Sequence, residues 1–161
     1  VQRLIDLRAN VEVGEEEGET ALMWAARMGD EESVRLLVDA NASLDAVDNN
    51  DRTALMHAAE VGHESCTQRL IDAGADLEAE DDDGQTALLC AAAAGSAECV
   101  QVLVDANASL DAEDNDGTTA LMLAARGEDR ACVQLLLELA CDVFSIRTSE
   151  KPKLMQGHEY R

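Results

Sequence analysis

The sequence predicts an all-α solenoid of stacked helix–turn–helix units joined by β-turn or hairpin fingers. A short motif, Thr-Ala-Leu followed by Met or Leu, recurs four times at a spacing of 33 residues. An alanine pair and a later leucine keep the same register in every copy. Self-similarity at a period of roughly 20 to 50 residues is typical of repeat proteins, whose units bury their apolar faces against one another. The motif copies begin at Thr20, Thr53, Thr86 and Thr119.

Each element of the unit follows from local residue chemistry. The threonine hydroxyl is suited to accept a hydrogen bond from a free N–H of the first helical turn. Glycine adopts the left-handed conformation that stops a helix, and asparagine is its usual substitute. The first helix is therefore predicted to end at Gly29, Gly62 and Gly95. The second helix is predicted to begin near Glu31, Glu64 and Ala97 and to end at Asn41, Gly74 and Asn107.

These residues resemble the ankyrin family, whose first-helix signature is Thr-Pro-Leu-His-x-Ala-Ala. The resemblance covers residues 1–146 and implies a partial repeat (1–13) followed by full repeats 14–46, 47–79, 80–112 and 113–146. Residues 147–161 are predicted to form a C-terminal cap or the degenerate start of a sixth repeat. The second alternative rests on Leu154-Met155, which falls 33 residues after Leu121-Met122.

The chain departs from the family signature at three kinds of position. Alanine replaces the proline in every repeat, which loses some preorganisation of the first turn. Methionine or leucine replaces the histidine, so we expect apolar contact in place of a polar Thr–His interaction. Asp51 and Glu128 stand where the family has glycine, and we expect local strain or a shifted turn at both.

The charge excludes several classes of partner. The formal net charge is −22, and residues 1–146 contain 32 Asp and Glu against 8 Arg and no Lys. Such a body repels nucleic-acid phosphates and anionic membrane surfaces, and no apolar run approaches the roughly 20 residues of a membrane span. We expect a protein or peptide partner, with neither nucleic acid nor membrane. Because the chain opens with Val1, we also expect it to be a piece of a longer protein.

The cysteines indicate the compartment. Cys66, Cys99 and Cys132 are equivalent positions on successive second helices. Such positions lie about 10 Å apart, whereas a disulfide requires Cα atoms within about 7 Å. We therefore interpret them as buried thiols in a reducing environment, which predicts an intracellular, cytoplasmic protein.

Catalytic and metal chemistry have little support in the sequence. His57 and Cys90 are also equivalent positions one repeat apart, too distant for the contact of about 3 Å that a nucleophile and its base require. No Cys-x-x-Cys pair is present, and the acidic turns place Ala112 or Ala79 where a calcium loop needs an oxygen ligand. No catalytic residue, cofactor or specific metal site is predicted, and weak divalent binding to clustered carboxylates is left open. His63 is interpreted as structural.

The resemblance also implies where a partner binds: at the finger tips and on the exposed side of the first helices, which line a concave groove. The predicted finger residues are Glu16, Glu17, Glu19, Asn49, Asn50, Arg52, Asp82, Asp83, Gln85, Asn115, Asp116 and Thr118. The predicted first-helix residues are Trp24, Arg27, Met28, Glu60, Val61, Ala93, Ala94 and Arg126.

Six carboxylates against one arginine in the finger set favour a basic peptide or a basic protein face. The alternative is that the acidity belongs to a solvated surface or to adaptation to high salt. The leading hypothesis for function is a monomeric protein-interaction module. Two other hypotheses are a structural spacer without its own partner, with any activity in other domains, and an enzyme, for which no catalytic group is visible.

Overall fold

The computed structural model describes residues 18–149, with side chains described up to residue 141. Glu16, Glu17, the predicted partial repeat 1–13 and residues 150–161 of the predicted C-terminal cap or sixth repeat lie outside this range. Eight helices occur in the described range and form four consecutive pairs. They are α1 (Ala21–Met28) and α2 (Glu31–Asp39), α3 (Ala54–Val61) and α4 (Glu64–Asp72), α5 (Ala87–Ala94) and α6 (Ala97–Asp105), and α7 (Ala120–Arg126) and α8 (Arg130–Ser149).

The predicted first-helix starts are confirmed. The threonine before each first helix has an extended backbone, and the hydroxyls of Thr20 and Thr53 accept the N–H groups of Met23 and Met56, both at 3.4 Å. The sulfur atoms of the same methionines lie 3.3 and 3.4 Å from the threonine backbone nitrogens. The expectation of purely apolar contact was therefore incomplete, because a weak N–H···S bond completes the cap.

The predicted helix ends and the strained positions are also confirmed. Gly29 adopts a left-handed φ of +69°, and a Cβ atom there would lie 2.7 Å from the ring of His63 in the next repeat. Asn41 and Asn107 are left-handed at the ends of α2 and α6. Asp51 and Glu128, the non-glycine residues at glycine positions, have φ values of 58° and 56°.

Small side chains determine how the repeats stack. The alanines Ala58, Ala59, Ala91 and Ala92 are fully buried, and they let the first helices of neighbouring repeats approach closely. Contacts between successive first helices are more extensive than contacts between successive second helices. The first helices therefore form the more closely packed side of the stack. In the described residues the fingers are turns, with one isolated antiparallel bridge between Glu113 and Thr119.

The left-handed Glu128 yields a stability prediction. A left-handed backbone costs a non-glycine residue about 1–2 kcal/mol, whereas glycine pays roughly 0.5–1 kcal/mol in lost freedom on folding. We expect Glu128→Gly to raise the free energy of unfolding by about 0.5–1 kcal/mol over Glu128→Gln, which removes the same charge but keeps the strain. Urea unfolding of both variants measures the difference. Equal unfolding free energies would show that the backbone at residue 128 carries no strain.

Candidate partner-binding surface

An apolar row runs along the exposed side of the first helices. Met28, Val61 and Ala94 are the last residues of α1, α3 and α5, and they occupy equivalent positions in three successive repeats. Met28 is 65% exposed and Val61 50% exposed, and Ala94 is exposed as well. We call these three residues the apolar row.

Trp24 and Arg27 form a rigid pair at one end of this row. The Arg27 guanidinium lies 4.3 Å from the centre of the Trp24 ring, within the range of a cation–π contact. The same guanidinium donates to the carboxylate of Glu19 at 2.8 Å, and Glu19 is only 5% exposed. Trp24 itself is 41% exposed, so its outer face remains accessible.

The next repeat contains the same pair with the charges exchanged. Arg52 stands 33 residues after Glu19, and Glu60 stands 33 residues after Arg27. Their side chains form an ion pair at 2.8 Å, and Arg52 also lies 3.8 Å from the carboxylate of Asp81. Arg52 is thus held inside the structure and contributes less positive charge to the surface than its position in the sequence suggested.

The finger turns are held by three equivalent aspartates that the site prediction omitted. Each of Asp48, Asp81 and Asp114 accepts backbone N–H groups from the residues two and four positions later, at 2.8–3.0 Å. For Asp48 burial opposes ionisation, but the bonds from Asn50, Arg52 and the His57 ring prevail and lower its pKa. Backbone bonds, that from Thr118 foremost, lower the pKa of Asp114. The 33-residue spacing of these aspartates could have identified them.

Backbone contacts also join neighbouring fingers. The N–H of Asp82 donates to the carbonyl of Asn50 at 3.1 Å, and the N–H of Asn115 donates to the carbonyl of Asp83 at 3.0 Å. The side-chain amide of Asn115 donates to the carbonyl of Asp82 at 3.0 Å. These bonds fix the fingers as a continuous edge, so their outward side chains keep defined relative positions.

Carboxylates crowd at the tip of this edge. Asp51, Asp82 and Asp83 are exposed, and we call them the acidic tip patch. Partial desolvation and the neighbouring carboxylates, Asp51 foremost, raise the pKa of Asp82. Asp51 was missing from the predicted set because it occupies a glycine position of the repeat, where no side chain was expected to contribute.

Several of the predicted contact residues are wholly or partly buried in the structure. Glu19 and Thr118 are buried, so little of either residue is accessible at the surface. Arg52 and Gln85 are half-buried, and Gln85 accepts a weak bond from the Cys90 thiol at 3.8 Å. The residues of the predicted set that remain exposed or half-exposed are Trp24, Arg27, Met28, Asn49, Asn50, Glu60, Val61, Asp82, Asp83, Ala93, Ala94, Asn115, Asp116 and Arg126.

His57, His63 and Cys90 have structural partners. His63 bonds the carbonyl of Arg27 at 3.1 Å, as its structural interpretation requires. His57 bonds Asp48 at 3.0 Å, and the Cys90 sulfur lies 3.9 Å from Arg52, so each has its own partner rather than the other. Cys66, Cys99 and Cys132 are buried, as predicted.

Paired helices at a 33-residue interval, with fingers along one edge, define a helical-repeat protein. The family model described as ankyrin repeats (three copies) matches residues 1–81 and 65–146. The chain therefore belongs to the ankyrin-repeat family, whose members are generally protein–protein interaction modules and typically not enzymes. A search of curated proteins found no match to the chain. Within residues 18–149, no helix has the length and apolar character that crossing a membrane requires.

Thiol reactivity provides a direct check of this geometry. Burial raises the pKa of Cys90 and of Cys132 to about 11, and it also raises the pKa of Cys66 and Cys99. At pH 8 we expect an alkylating reagent to modify exposed Cys141 first and the other four thiols only after unfolding. Mass spectrometry of the labelled peptides identifies the sites. Rapid labelling of Cys90 in the folded chain would contradict its buried position.

Proposed function

We propose that this chain binds a basic, partly apolar segment of another protein, which lies along the apolar row and reaches the acidic tip patch. The observation that carries the proposal is the exposure of Met28 and Val61 at equivalent positions of successive repeats. Apolar side chains that line up on one face and are rimmed by polar groups are typical of a protein-interaction surface. The Trp24 ring extends this surface, and tryptophan is a frequent anchor of interfaces.

Charge supports a basic partner. The groups that raise the pKa of Asp82, besides desolvation, are carboxylates of its own and the neighbouring finger. A cationic side chain placed between Asp51 and Asp82 relieves this repulsion and gains attraction from both. Glu19 and Glu60, by contrast, are already paired with arginines of this chain. The acidic tip patch is therefore the part of the finger row best suited to recruit a cation.

The structural-spacer hypothesis predicts a different behaviour. A spacer has no surface at which the position of a substitution matters, beyond the general effect of net charge. We further propose that the chain acts through binding alone and not as an enzyme. Arg27 and Glu60, the charged residues that precede Met28 and Val61, are held in ion pairs with Glu19 and Arg52.

Charge reversal at the tip tests the proposal. We expect Asp82→Lys/Asp83→Lys to weaken binding of a fluorescent Lys- and Arg-rich peptide by about tenfold or more, because attraction becomes repulsion. The matched control is Asp72→Lys/Asp105→Lys, which makes the same charge change at exposed ends of the second helices α4 and α6. Fluorescence anisotropy at several salt concentrations measures both. Equal weakening by the two double variants would favour nonspecific attraction and the spacer hypothesis.

The apolar row has its own test. The probe is the same peptide with leucines added. We expect Val61→Ser to weaken its binding by roughly 1 kcal/mol, because about half of the Val61 side chain is available for burial on binding. Val47→Ser is the matched control, since Val47 is 47% exposed but lies outside the row. Equal affinities of the two variants would remove the apolar row from the binding surface.

Proton linkage gives a further prediction. A bound cation favours the ionised form of Asp82, so affinity should fall as the pH falls through the pKa range of this residue. Because that pKa is raised in the free chain, the loss should begin above the ordinary aspartate value of about 3.9. Titration of peptide binding from pH 7 to 4 in the wild type and in Asp82→Asn measures this. The same pH profile in both would show that Asp82 is not linked to binding.

A further inference from the structure

A buried polar cluster lies between the first two described repeats. Glu19, Asp48 and His57 are 5%, 7% and 4% exposed. One ligand atom from each, a carboxylate oxygen or a ring nitrogen, lies within 4.8 Å of the other two. The sequence predicted no specific metal site, because these residues are far apart in the chain and come from two repeats. The fold alone brings them together.

The turn and the helix fix two of these side chains against each other. One oxygen of Asp48 accepts the N–H groups of Asn50 and Arg52 at 2.9 and 3.0 Å, which directs its other oxygen to Nε2 of His57 at 3.0 Å. The second ring nitrogen of His57, Nδ1, has no hydrogen-bond partner among the described residues, although it is buried. Because Nε2 faces Asp48, Nε2 is the atom that the cluster offers as a ligand, and the buried Nδ1 on the other side of the ring requires a partner of its own, such as a bound water.

Comparison with the next repeat interface shows which charge this location accepts. The residues equivalent to Glu19, Asp48 and His57 are Arg52, Asp81 and Cys90, each 33 residues later. There the Arg52 guanidinium lies 3.8 Å from the Asp81 carboxylate and 3.9 Å from the Cys90 sulfur. The second interface thus contains its own cation at this location.

In the first interface the carboxylate of Glu19 takes the place of that arginine. Arg27 neutralises one oxygen of Glu19 from the outside at 2.8 Å. Asp48 pairs with the His57 ring, which carries a positive charge only when it is protonated. With the ring neutral, Arg27 is the one cation that pairs with the two carboxylates among the ion pairs of the described residues, so the charge and the ligand types suit an external cation.

We propose that Glu19, Asp48 and His57 form a binding site for a divalent transition-metal cation of the Zn²⁺ class, between repeats 14–46 and 47–79. Imidazole nitrogen with two carboxylate oxygens is a ligand set that such cations accept, and water completes a tetrahedral shell. Bonds of about 2.0–2.1 Å place tetrahedral ligand atoms about 3.3 Å apart. The Asp48–His57 pair, at 3.0 Å, already approaches this spacing, and a shift of Glu19 towards them completes the protein ligand set. The inference does not depend on the proposed partner-binding function.

Metal binding at this site has a built-in reporter. Glu19 holds Arg27, and Arg27 lies over the ring of Trp24, the one tryptophan of the chain. A cation that draws on the Glu19 carboxylate weakens its attraction for the guanidinium and changes the stacking on the indole. Tryptophan fluorescence should therefore change in step with occupancy.

The test titrates the folded chain with ZnCl₂ in a Cys141→Ser background, which removes the exposed thiol as a competing ligand. We expect one equivalent to bind with a Kd on the order of micromolar, to change the Trp24 fluorescence and to raise the Tm. The key comparison is Asp48→Asn against Asp81→Asn. Both aspartates hold their turns in the same way, but only Asp48 belongs to the cluster.

We expect Asp48→Asn and Glu19→Gln each to weaken binding by about tenfold or more and Asp81→Asn to leave it within about twofold. Circular dichroism identifies any variant that fails to fold. If Asp48→Asn does not fold, Glu19→Gln replaces it in the comparison with Asp81→Asn. Mg²⁺ and Ca²⁺ should compete poorly, because they prefer shells made of oxygen ligands. Equal binding in all variants, equal binding of Ca²⁺, or no saturable Zn²⁺ binding would each overturn the proposal.

Discussion

The close approach of the first helices is the constraint on which the rest of the structure depends. It requires alanine at the contact, and the buried pairs Ala58-Ala59 and Ala91-Ala92 supply it. The first helices approach more closely than the second helices, and the fingers that precede them contact one another along one edge. The same geometry exposes the apolar row and lets the N–H of Asp82 reach the carbonyl of Asn50 across the repeat boundary. A larger side chain at these contacts would separate all of these features together.

Equivalent positions of the repeats share one backbone geometry, so a residue that differs between repeats changes the chemistry at the same place in the unit. The column that begins with Glu19 continues with Arg52, Gln85 and Thr118, and all four point inwards or along the fingers rather than outwards. Glu19 pairs with Arg27, whereas Arg52 pairs with Glu60, so the backbone accepts either order of charges. The interfaces differ in the residue at this position. The second interface contains its own cation, Arg52, whereas the first contains the Glu19 carboxylate there.

Most of the fold could be predicted from the sequence because helix starts, helix stops and turns depend on neighbouring residues. Thr53 at the start of α3 and Asn107 after α6 behave as their side chains dictate. Side-chain direction within the fingers could not be predicted, since a turn orients each residue through contacts with the next repeat. Glu19 was therefore assigned to the surface although it is buried. The cluster at His57 was missed because its carboxylates lie 9 and 38 positions earlier in the chain.

The large negative charge thus consists of groups with different environments. Asp48, Asp81 and Asp114 are occupied by backbone N–H groups and serve the fold. Glu19 and Glu60 face arginines of this chain. The carboxylates of the acidic tip patch face water and one another, where solvent screening keeps the repulsion tolerable and the proposed cationic partner would relieve it. The proposed interior cation and the proposed basic protein segment therefore use different carboxylates. The two proposed sites are separable, since a substitution at the tip leaves the buried cluster intact.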